Sequence, residues 1–181
     1  MIILASESPR RRELIKKITK DFTVIPANID ESVLHIAACD LPGELSKLKA
    51  YDVYQKYPND TVLACDTIVV LDGVVMGKPH TKEKASEMLH KLSGKKHVVI
   101  SGYTYINKNI EITRTVRTYV YFNKLSDELI DKYIATGSPL DKAGAYGIQD
   151  KDFDLVNHIE GSFDNVMGLP VEDIKQHCFQ K

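Results

Sequence analysis

The sequence predicts an α/β fold with a mixed central sheet and flanking helices. Short apolar runs such as Ile2–Ala5 and Thr61–Cys65, typical of strands buried on both faces, alternate with segments of helical periodicity. The 181 residues are 43% hydrophobic and 27% charged, an ordinary composition for a globular domain. Neither an internal repeat nor a linker interrupts the chain, so we expect a single α/β domain over residues 1–181.

Strand patterns, helix signals and turns alternate in the first half of the chain. A helix begins at Pro9, because Ser8 is a favourable N-cap and proline suits the first helical position. Asp72-Gly73 between two apolar runs predicts a β-hairpin with a type I′ turn. The expected elements are a strand at 2–5, the helix from Pro9, a strand at 22–25, a polar loop at 26–31, a helix from Pro42 to about Tyr57, a strand at 61–65 that ends at Asp66-Thr67, and a hairpin over 68–76.

The second half continues with two further helices around two long strands. Thr81 is a typical N-cap for a helix that Ser93-Gly94 ends. Gly137 and Pro139 close the next helix, which begins at residues 125–128. The other expected elements are strands at 97–107 and 111–123, a glycine-rich loop at 142–149, a strand near 155–159, a loop, and a short helix from Pro170.

Charge and hydropathy exclude several classes of function. The 24 basic and 25 acidic residues give a net charge of −1, which disfavours a protein that coats nucleic acid or an anionic membrane. No apolar stretch reaches the roughly 18 residues that a membrane span needs. The three cysteines are scattered and the N-terminal apolar run is too short for a signal sequence, so we expect a cytoplasmic, reducing environment.

Basic residues are concentrated at the start of the first predicted helix. A helix N-terminus carries partial positive charge and unpaired N–H groups, and arginine binds phosphate in a bidentate fashion. Ser8, Arg10 and Arg11 therefore predict a phosphate site, since cations in the first turn are otherwise unfavourable. The alternative is a solvated basic helix start, and this is the interpretation we favour for Arg12, Lys16 and Lys17.

Two later features carry further candidate chemistry. Asp66 follows an apolar strand, where α/β proteins place ligands, and its carboxylate can hold Mg²⁺ or deprotonate water; the alternative is a turn-capping aspartate. Lys78 lies a few residues downstream in Gly77-Lys78-Pro79, where it can contact a phosphate or orient Asp66. The loop ending in Gln149 offers close backbone approach at its glycines and an amide suited to a base edge.

Several motifs occur together in a characteristic order. They are Ser6-Glu7-Ser8-Pro9-Arg10-Arg11-Arg12-Glu13-Leu14, Lys49-Ala50, Cys65-Asp66-Thr67-Ile68-Val69, Gly77-Lys78-Pro79, Leu92-Ser93-Gly94, Asp141-Lys142-Ala143-Gly144-Ala145-Tyr146-Gly147-Ile148-Gln149 and Asn165-Val166-Met167-Gly168-Leu169-Pro170. This set resembles the Maf family of nucleotide pyrophosphatases over nearly the whole chain. The resemblance implies two lobes around a deep cleft, a Maf/ITPase-like architecture. It also implies hydrolysis of a nucleoside triphosphate between the α and β phosphates with a divalent cation, Mg²⁺, Mn²⁺ or Co²⁺.

The resemblance also implies roles for individual residues. Asp66 would be the catalytic proton acceptor, and Glu31 would join it at the metal. The Thr67 and Gln149 pair resembles the branch acting on dTTP and UTP, with modified pyrimidine nucleotides as further candidates, and in that branch Arg10 is also a specificity position. Asp30 and Asp150 depart from the family pattern. The residues implied to bind the triphosphate are Ser8, Arg10, Arg11, Lys49 and Lys78.

Two other readings stay open at this point. One is a sister-branch pyrophosphatase acting on 7-methyl-GTP or on CTP. The other is a nucleotide-binding regulator of cell division, because the family is linked to septum formation. A nucleic acid partner is disfavoured by the charge balance and by the lack of an aromatic ladder on a basic face. The family implies a homodimer, which no surface pattern in the sequence demonstrates.

Overall fold

The computed structural model describes residues 1–33 and 36–179 and confirms the predicted mixed α/β class. Its sheet has seven strands, in the order β2-β1-β3-β5-β6-β7, with β4 paired to β3. The strands are β1 (Ile2–Leu4), β2 (Phe22–Val24), β3 (Thr61–Leu71), β4 (Val74–Met76), β5 (Lys96–Ile106), β6 (Glu111–Phe122) and β7 (Val156–Glu160). The helices in the described residues are α1 (Pro9–Ile15), α2 (Leu41–Tyr54), α3 (Lys82–Leu92), α4 (Asp127–Ala135), α5 (Phe163–Met167) and α6 (Val171–Cys178).

The sheet is mixed in strand direction. Strand β1 pairs in parallel with β2 on one side and with β3 on the other, whereas β3–β4 and β6–β7 are antiparallel. The β3–β4 connection is the predicted tight hairpin, because Asp72 and Gly73 both have positive φ, of 50° and 79°, as a type I′ turn requires.

Three predicted helix starts are confirmed at their N-caps. The Ser8 side chain accepts a hydrogen bond from the Arg11 backbone N–H. Thr81 and Ser126 likewise accept from the backbone N–H three residues later, at the starts of α3 and α4. Each bond satisfies one of the donors that the first helical turn leaves unpaired.

Strand β3 differs from the prediction. Asp66 and Thr67 were expected to end a strand, but β3 runs without interruption from Thr61 to Leu71. The expectation was wrong because the β-branched residues after Thr67 continue the extended conformation, and the first turn signal is Asp72-Gly73. Asp66 is therefore a mid-strand residue, 8% exposed.

Helix α2 ends at Tyr54 and not near Tyr57, and short elements are further departures. Segments expected to be loops contain a 3₁₀ turn at Glu31–Val33 and the five-residue helix α5. Lys17 is exposed, as expected of a surface charge, and its ammonium also binds both carboxylate oxygens of the buried Asp164, at 2.7 and 2.8 Å. Among the described residues, no helix combines the length and apolar character needed to cross a membrane.

The chain divides into two compact units. The first unit comprises Met1–Thr67, Ile100–Val116 and the described residues from Asp164 onward. Its apolar residues form two clusters, one that includes Leu14 and Ile15 of α1 and one that includes Ala50 and Val53 of α2. The second unit comprises Ile68–Val99 and Arg117–Phe163. Its interior includes buried side chains from α3 and α4, namely Ala85, Leu89, Leu92, Ile130, Tyr133 and Ile134.

Candidate active site

The alternation of β3 sends its two central polar residues to opposite faces of the sheet. Successive strand side chains point to opposite faces. Ala64 belongs to the cluster packed with α2, and Cys65 belongs to the cluster packed with α1. Asp66 therefore shares the α2 face, and Thr67 shares the α1 face.

On the α2 face, one lysine contacts two carboxylates. Lys49 of α2 places its Nζ 2.7 Å from Asp66 Oδ1 and 2.8 Å from Glu31 Oε1. The side chains of Lys49 and Asp66 are mostly buried, whereas that of Glu31 is 55% exposed. All three are candidate residues named from the sequence, and the structure brings them together as a Glu31–Lys49–Asp66 cluster.

Helix α2 is held against the sheet by a close approach and by buried polar contacts. A Cβ on Gly102 of β5 would lie only 2.2 Å from the backbone carbon of Pro42, so glycine is required where α2 begins. Ser46 of α2 bonds the Gly43 carbonyl at 2.7 Å and Thr104 Oγ1 of β5 at 2.8 Å. These contacts fix the helix that carries Lys49.

On the α1 face, Arg11 is held by three hydrogen bonds. Its Nε donates to the Gly168 carbonyl at 2.8 Å, Nη1 donates to Ser6 Oγ at 3.2 Å, and Nη2 donates to Thr67 Oγ1 at 3.2 Å. A guanidinium has five N–H donors. Within the described part of the chain, two N–H groups of Arg11 are therefore left for a ligand.

The Thr67 hydroxyl is hydrogen-bonded to Ser101 as well as to Arg11. It lies 2.8 Å from Ser101 Oγ, and Ser101 is fully buried and also donates to the Asn165 carbonyl at 3.3 Å. Sequence reasoning did not find Ser101, because a serine within an apolar β run carries no local signal. Gly168 lies in a motif quoted for the family resemblance, but nothing in that motif predicts its contact with Arg11.

Ser8 and Arg10 lie at the start of α1, as predicted. The Ser8 backbone N–H donates to Ser6 Oγ at 3.2 Å, while the Ser8 hydroxyl caps the helix. Arg10 is half-buried in the first turn. The first unit therefore holds seven of the nine candidate residues, namely Ser8, Arg10, Arg11, Glu31, Lys49, Asp66 and Thr67.

The remaining two candidates, Lys78 and Gln149, belong to the second unit. Lys78 forms an exposed ion pair with Asp141, with a distance of 3.0 Å. Gln149 is half-buried, and its Oε1 is buried without a hydrogen-bond partner in the described chain. A buried acceptor without a partner costs free energy, so this amide oxygen is suited to a donor supplied by a ligand.

The Glu31–Lys49–Asp66 cluster fits a divalent cation that also binds substrate. No group of three or more His, Cys, Asp or Glu side chains in the described residues is arranged to hold a metal ion by itself. Mg²⁺, however, is commonly held by one or two carboxylates together with substrate phosphates. Two carboxylates around one ammonium leave one negative charge in excess, which would repel a triphosphate unless a further cation is bound.

Comparison with known sequences decides the family. The family model described as "Maf-like protein" matches residues 1–179. The chain belongs to the Maf family. This confirms the resemblance that the sequence motifs indicated.

Individual Maf relatives are similar over almost their whole length. A "dTTP/UTP pyrophosphatase" of Thermococcus onnurineus is 46% identical over 95% of this chain and 93% of the relative. Proteins of the same name from Thermosipho africanus and Geotalea uraniireducens are 48% and 45% identical, each over 96% of this chain and over 89% and 91% of the relatives. Among solved structures, the Staphylococcus aureus Ham1 protein aligns with 70% of this chain and 72% of its own, at 18% identity and a TM-score of 0.49.

Proposed function

We propose that this Maf-family protein is a nucleoside triphosphate pyrophosphatase that hydrolyses dTTP and UTP to the monophosphate and pyrophosphate. The observation that carries the proposal is the mostly buried ion pair between Asp66, in the middle of the core strand β3, and Lys49 of α2. Glu31 contacts the same lysine. Relatives 45–48% identical over nearly the whole chain bear the name of this activity.

Asp66 is suited to accept a proton from the attacking water. In the proposed reaction, the water oxygen bonds to the α-phosphorus, the bond from that phosphorus to the α–β bridging oxygen breaks, and pyrophosphate leaves. The water gives up a proton to the Asp66 carboxylate as it attacks. Lys49 holds Asp66 through Oδ1 at 2.7 Å, which fixes the direction of the carboxylate.

The proposal assigns triphosphate binding to the basic candidate residues. Arg11 is pre-organised by its three hydrogen bonds and has N–H groups left for phosphate oxygens. In the proposal, Ser8 and Arg10 at the start of α1 bind phosphate as well, and Lys78 of the second unit exchanges its exposed partner Asp141 for phosphate. Lys49 has one further donor, since its two contacts use two of the three ammonium N–H groups.

Glu31 and Asp66 are the residues that would hold the divalent cation. When bound, such a cation neutralises charge on the phosphate oxygens during the displacement. The exposed Glu31 side chain is accessible to a cation arriving with the nucleotide.

Gln149 is suited to select the base. Uracil and thymine share an imino N3–H donor, whereas N3 of cytosine is an acceptor. The partnerless Oε1 of Gln149 would accept from that N–H and would be left unpaired by CTP. In this proposal Thr67 contributes through Arg11, because the hydroxyl of Thr67 is hydrogen-bonded to that guanidinium.

A nucleotide panel tests the proposal. The purified protein is incubated with dTTP, UTP, CTP, GTP and 7-methyl-GTP in the presence of Mg²⁺, Mn²⁺ or Co²⁺, and released pyrophosphate is measured. We expect dTTP and UTP to be hydrolysed most efficiently. Faster hydrolysis of 7-methyl-GTP or CTP would indicate the sister branch, and nucleotide binding without hydrolysis would indicate the regulatory alternative.

A further inference from the structure

Gln149 lies in a tight turn whose two ends are tied to one hydroxyl group. The Asp150 backbone N–H donates to the Gly147 carbonyl at 3.0 Å, which closes a four-residue turn with Ile148 and Gln149 at its centre. The Gly147 backbone N–H donates to the Tyr133 hydroxyl at 3.0 Å. That hydroxyl donates in turn to Asp150 Oδ2 at 2.6 Å.

The group that ties the turn is itself rigidly placed. Tyr133 is a fully buried residue of α4, and its ring packs against Phe153 with a centroid distance of 4.9 Å. Burial and the hydrogen bond to Asp150 raise the pKa of Tyr133, so its hydroxyl remains a donor at neutral pH. A tyrosine hydroxyl can donate one hydrogen bond while accepting another.

Asp150 gathers further contacts on the same carboxylate oxygen. Ser138 Oγ donates to Oδ2 at 2.8 Å, and Lys142 Nζ lies 3.4 Å from it. Lys142 also donates to the Ser138 carbonyl at 3.0 Å. Burial raises the pKa of Asp150, but the bonds from Tyr133, Ser138 and Lys142 outweigh burial and hold that pKa below its ordinary value.

The inner side of the turn has no spare room. A Cβ on Gly147 would lie 3.0 Å from Lys142 Cε and 3.1 Å from both Asp150 Oδ2 and Gln149 Oε1. Such distances are shorter than ordinary van der Waals contact between non-bonded carbons. The Gln149 amide oxygen and the Asp150 carboxylate that holds the turn therefore both lie close to the Gly147 backbone.

We propose that Tyr133 and Asp150 form a clamp that positions Gln149 for base selection. This inference rests on the proposed function, in which Gln149 Oε1 accepts a hydrogen bond from the imino N–H of uracil or thymine. Selection between a donor and an acceptor at the same ring position depends on holding the protein oxygen in place, because a mobile amide can rotate to present its NH₂ group. Tyr133 and Asp150 are positioning residues in this scheme, and neither contacts the reacting phosphate.

The test removes the hydroxyl and leaves the ring. In Tyr133→Phe, both ends of the turn lose their common partner. We expect the ratio of kcat/KM for UTP over CTP to fall about tenfold. The fall is expected to come from a higher KM for UTP, with kcat for UTP within about threefold of wild type. Hydrogen–deuterium exchange is expected to speed up in the peptide over residues 142–150.

A matched control separates the clamp from general destabilisation. Tyr103 is also fully buried and donates to a carboxylate, Asp173 Oδ2, at 2.7 Å, but it lies in the first unit. Tyr103→Phe removes the same kind of bond, and we expect it to leave the UTP/CTP ratio unchanged. Asp150→Ala serves as a second clamp variant in case Tyr133→Phe does not fold, because it removes the acceptor of the Tyr133 bond and Asp150 is only partly buried.

The clamp and the proposed function fail in different ways. A UTP/CTP ratio that stays within twofold of wild type in a folded clamp variant would overturn the clamp, as would unchanged exchange over residues 142–150. A wild-type protein that hydrolyses no nucleoside triphosphate would contradict the proposed function, while faster exchange in Tyr133→Phe would still support the clamp as a support of the turn.

Discussion

At the scale of single residues, the Glu31–Lys49–Asp66 cluster is poorly explained by stability. Replacing a buried ion pair by apolar residues of similar volume is often neutral or stabilising, so such a pair is weak support for a fold. Asp66 is itself buried and lies next to the buried Cys65 in β3. The proposed catalytic role gives this mid-strand carboxylate a function that stability does not supply.

The substitution Asp66→Asn tests this interpretation. We expect hydrolysis to fall by about 10²-fold or more, because an amide cannot accept the proton from water. The fold is expected to survive, since Lys49 keeps Glu31 as a partner. Asp52→Asn is the matched control, because Asp52 is another lysine-paired carboxylate of the first unit, 3.0 Å from Lys56. Steady-state kinetics and circular dichroism check both variants, and wild-type turnover in Asp66→Asn would disprove the catalytic assignment.

Glu31 carries a second prediction at this scale. Glu31→Gln removes the excess negative charge of the cluster, so the concentration of Mg²⁺ for half-maximal activity is expected to rise by about tenfold or more. Activity at saturating Mg²⁺ is expected to recover much of its wild-type value. Glu44→Gln is the control, because Glu44 is a comparably exposed glutamate paired with Lys47 at 2.9 Å. Metal titrations of activity give the result, and an unchanged requirement in Glu31→Gln would argue against cation binding there.

At the scale of elements, the start of helix α2 is fixed by its contact with strand β5. Gly102 lets the backbone of Pro42 approach more closely than any side chain would permit. Buried hydroxyls then continue the contact, since Thr104 of β5 bonds both Ser46 of α2 and Thr113 of β6. The position of Lys49 therefore depends on a glycine in a strand that contributes no candidate catalytic group.

Gly102→Ala is expected to be strongly destabilising. The added methyl group would lie within 2.3 Å of three backbone atoms of Pro42 and Gly43, which cannot rotate away. Overpacking of this kind costs about 1–3 kcal/mol or more of unfolding free energy. Gly77→Ala is the control, because a Cβ there meets nothing within 4 Å. Urea unfolding measures both, and equal stability of the two variants would contradict the close approach.

Elements with strong local signals could be predicted from the sequence, whereas short or interrupted ones could not. The N-caps at Ser8 and Thr81 were recognisable because capping depends on residues a turn apart. Helix α5 and the 3₁₀ turn at Glu31–Val33 are too short for apolar periodicity to appear.

The candidate site shows the same division. The family resemblance implied that Glu31 joins Asp66, but the contact of Lys49 with both carboxylates depends on how α2 packs on the sheet, which no local pattern encodes. Ser101 was missed entirely, because its hydroxyl becomes informative only once Thr67 is placed beside it.

At the scale of the whole molecule, the candidate residues are divided between the two units. Those proposed to handle phosphate, cation and water are mainly in the first unit, whereas Gln149 and its clamp are in the second. Strand β3 contributes to both, because the first unit ends at Thr67 and the second begins at Ile68. Substitutions in the clamp are therefore expected to change base preference, and substitutions in the Glu31–Lys49–Asp66 cluster to change turnover.

The stability of the whole molecule is expected to depend on pH through His97. This residue is 3% exposed, and its Nδ1 has no hydrogen-bond partner among the described residues. Its Nε2 lies 2.7 Å from the Tyr146 hydroxyl, and the ring packs edge-on against Phe122 and Tyr146. Burial disfavours the charged imidazolium and lowers the pKa of His97 from 6.5 to about 4.

The sign of the effect follows from which state binds the proton. Between pH 6.5 and about pH 4 the unfolded chain protonates His97 while the folded protein keeps it neutral, so the unfolding free energy falls as the pH is lowered through this window. Across the whole window the loss is about 3 kcal/mol. His90 shifts the other way: its pKa is raised by the hydrogen bond to Asp127, so below pH 6.5 its contribution is fully present and constant.

Urea unfolding of wild type and His97→Gln at pH 7, 6, 5 and 4.5 measures this contribution. The variant has no group that titrates at this position, so its unfolding free energy is expected to fall less steeply, with a slope smaller by up to about 1.4 kcal/mol per pH unit. His158→Gln is the matched control, because His158 is an exposed histidine of the same unit, stacked on Tyr121. Parallel pH profiles for wild type and His97→Gln would show that His97 is not the buried neutral histidine described here. A flatter profile in His97→Gln but not in His158→Gln would mean that acid weakens the protein through this buried residue.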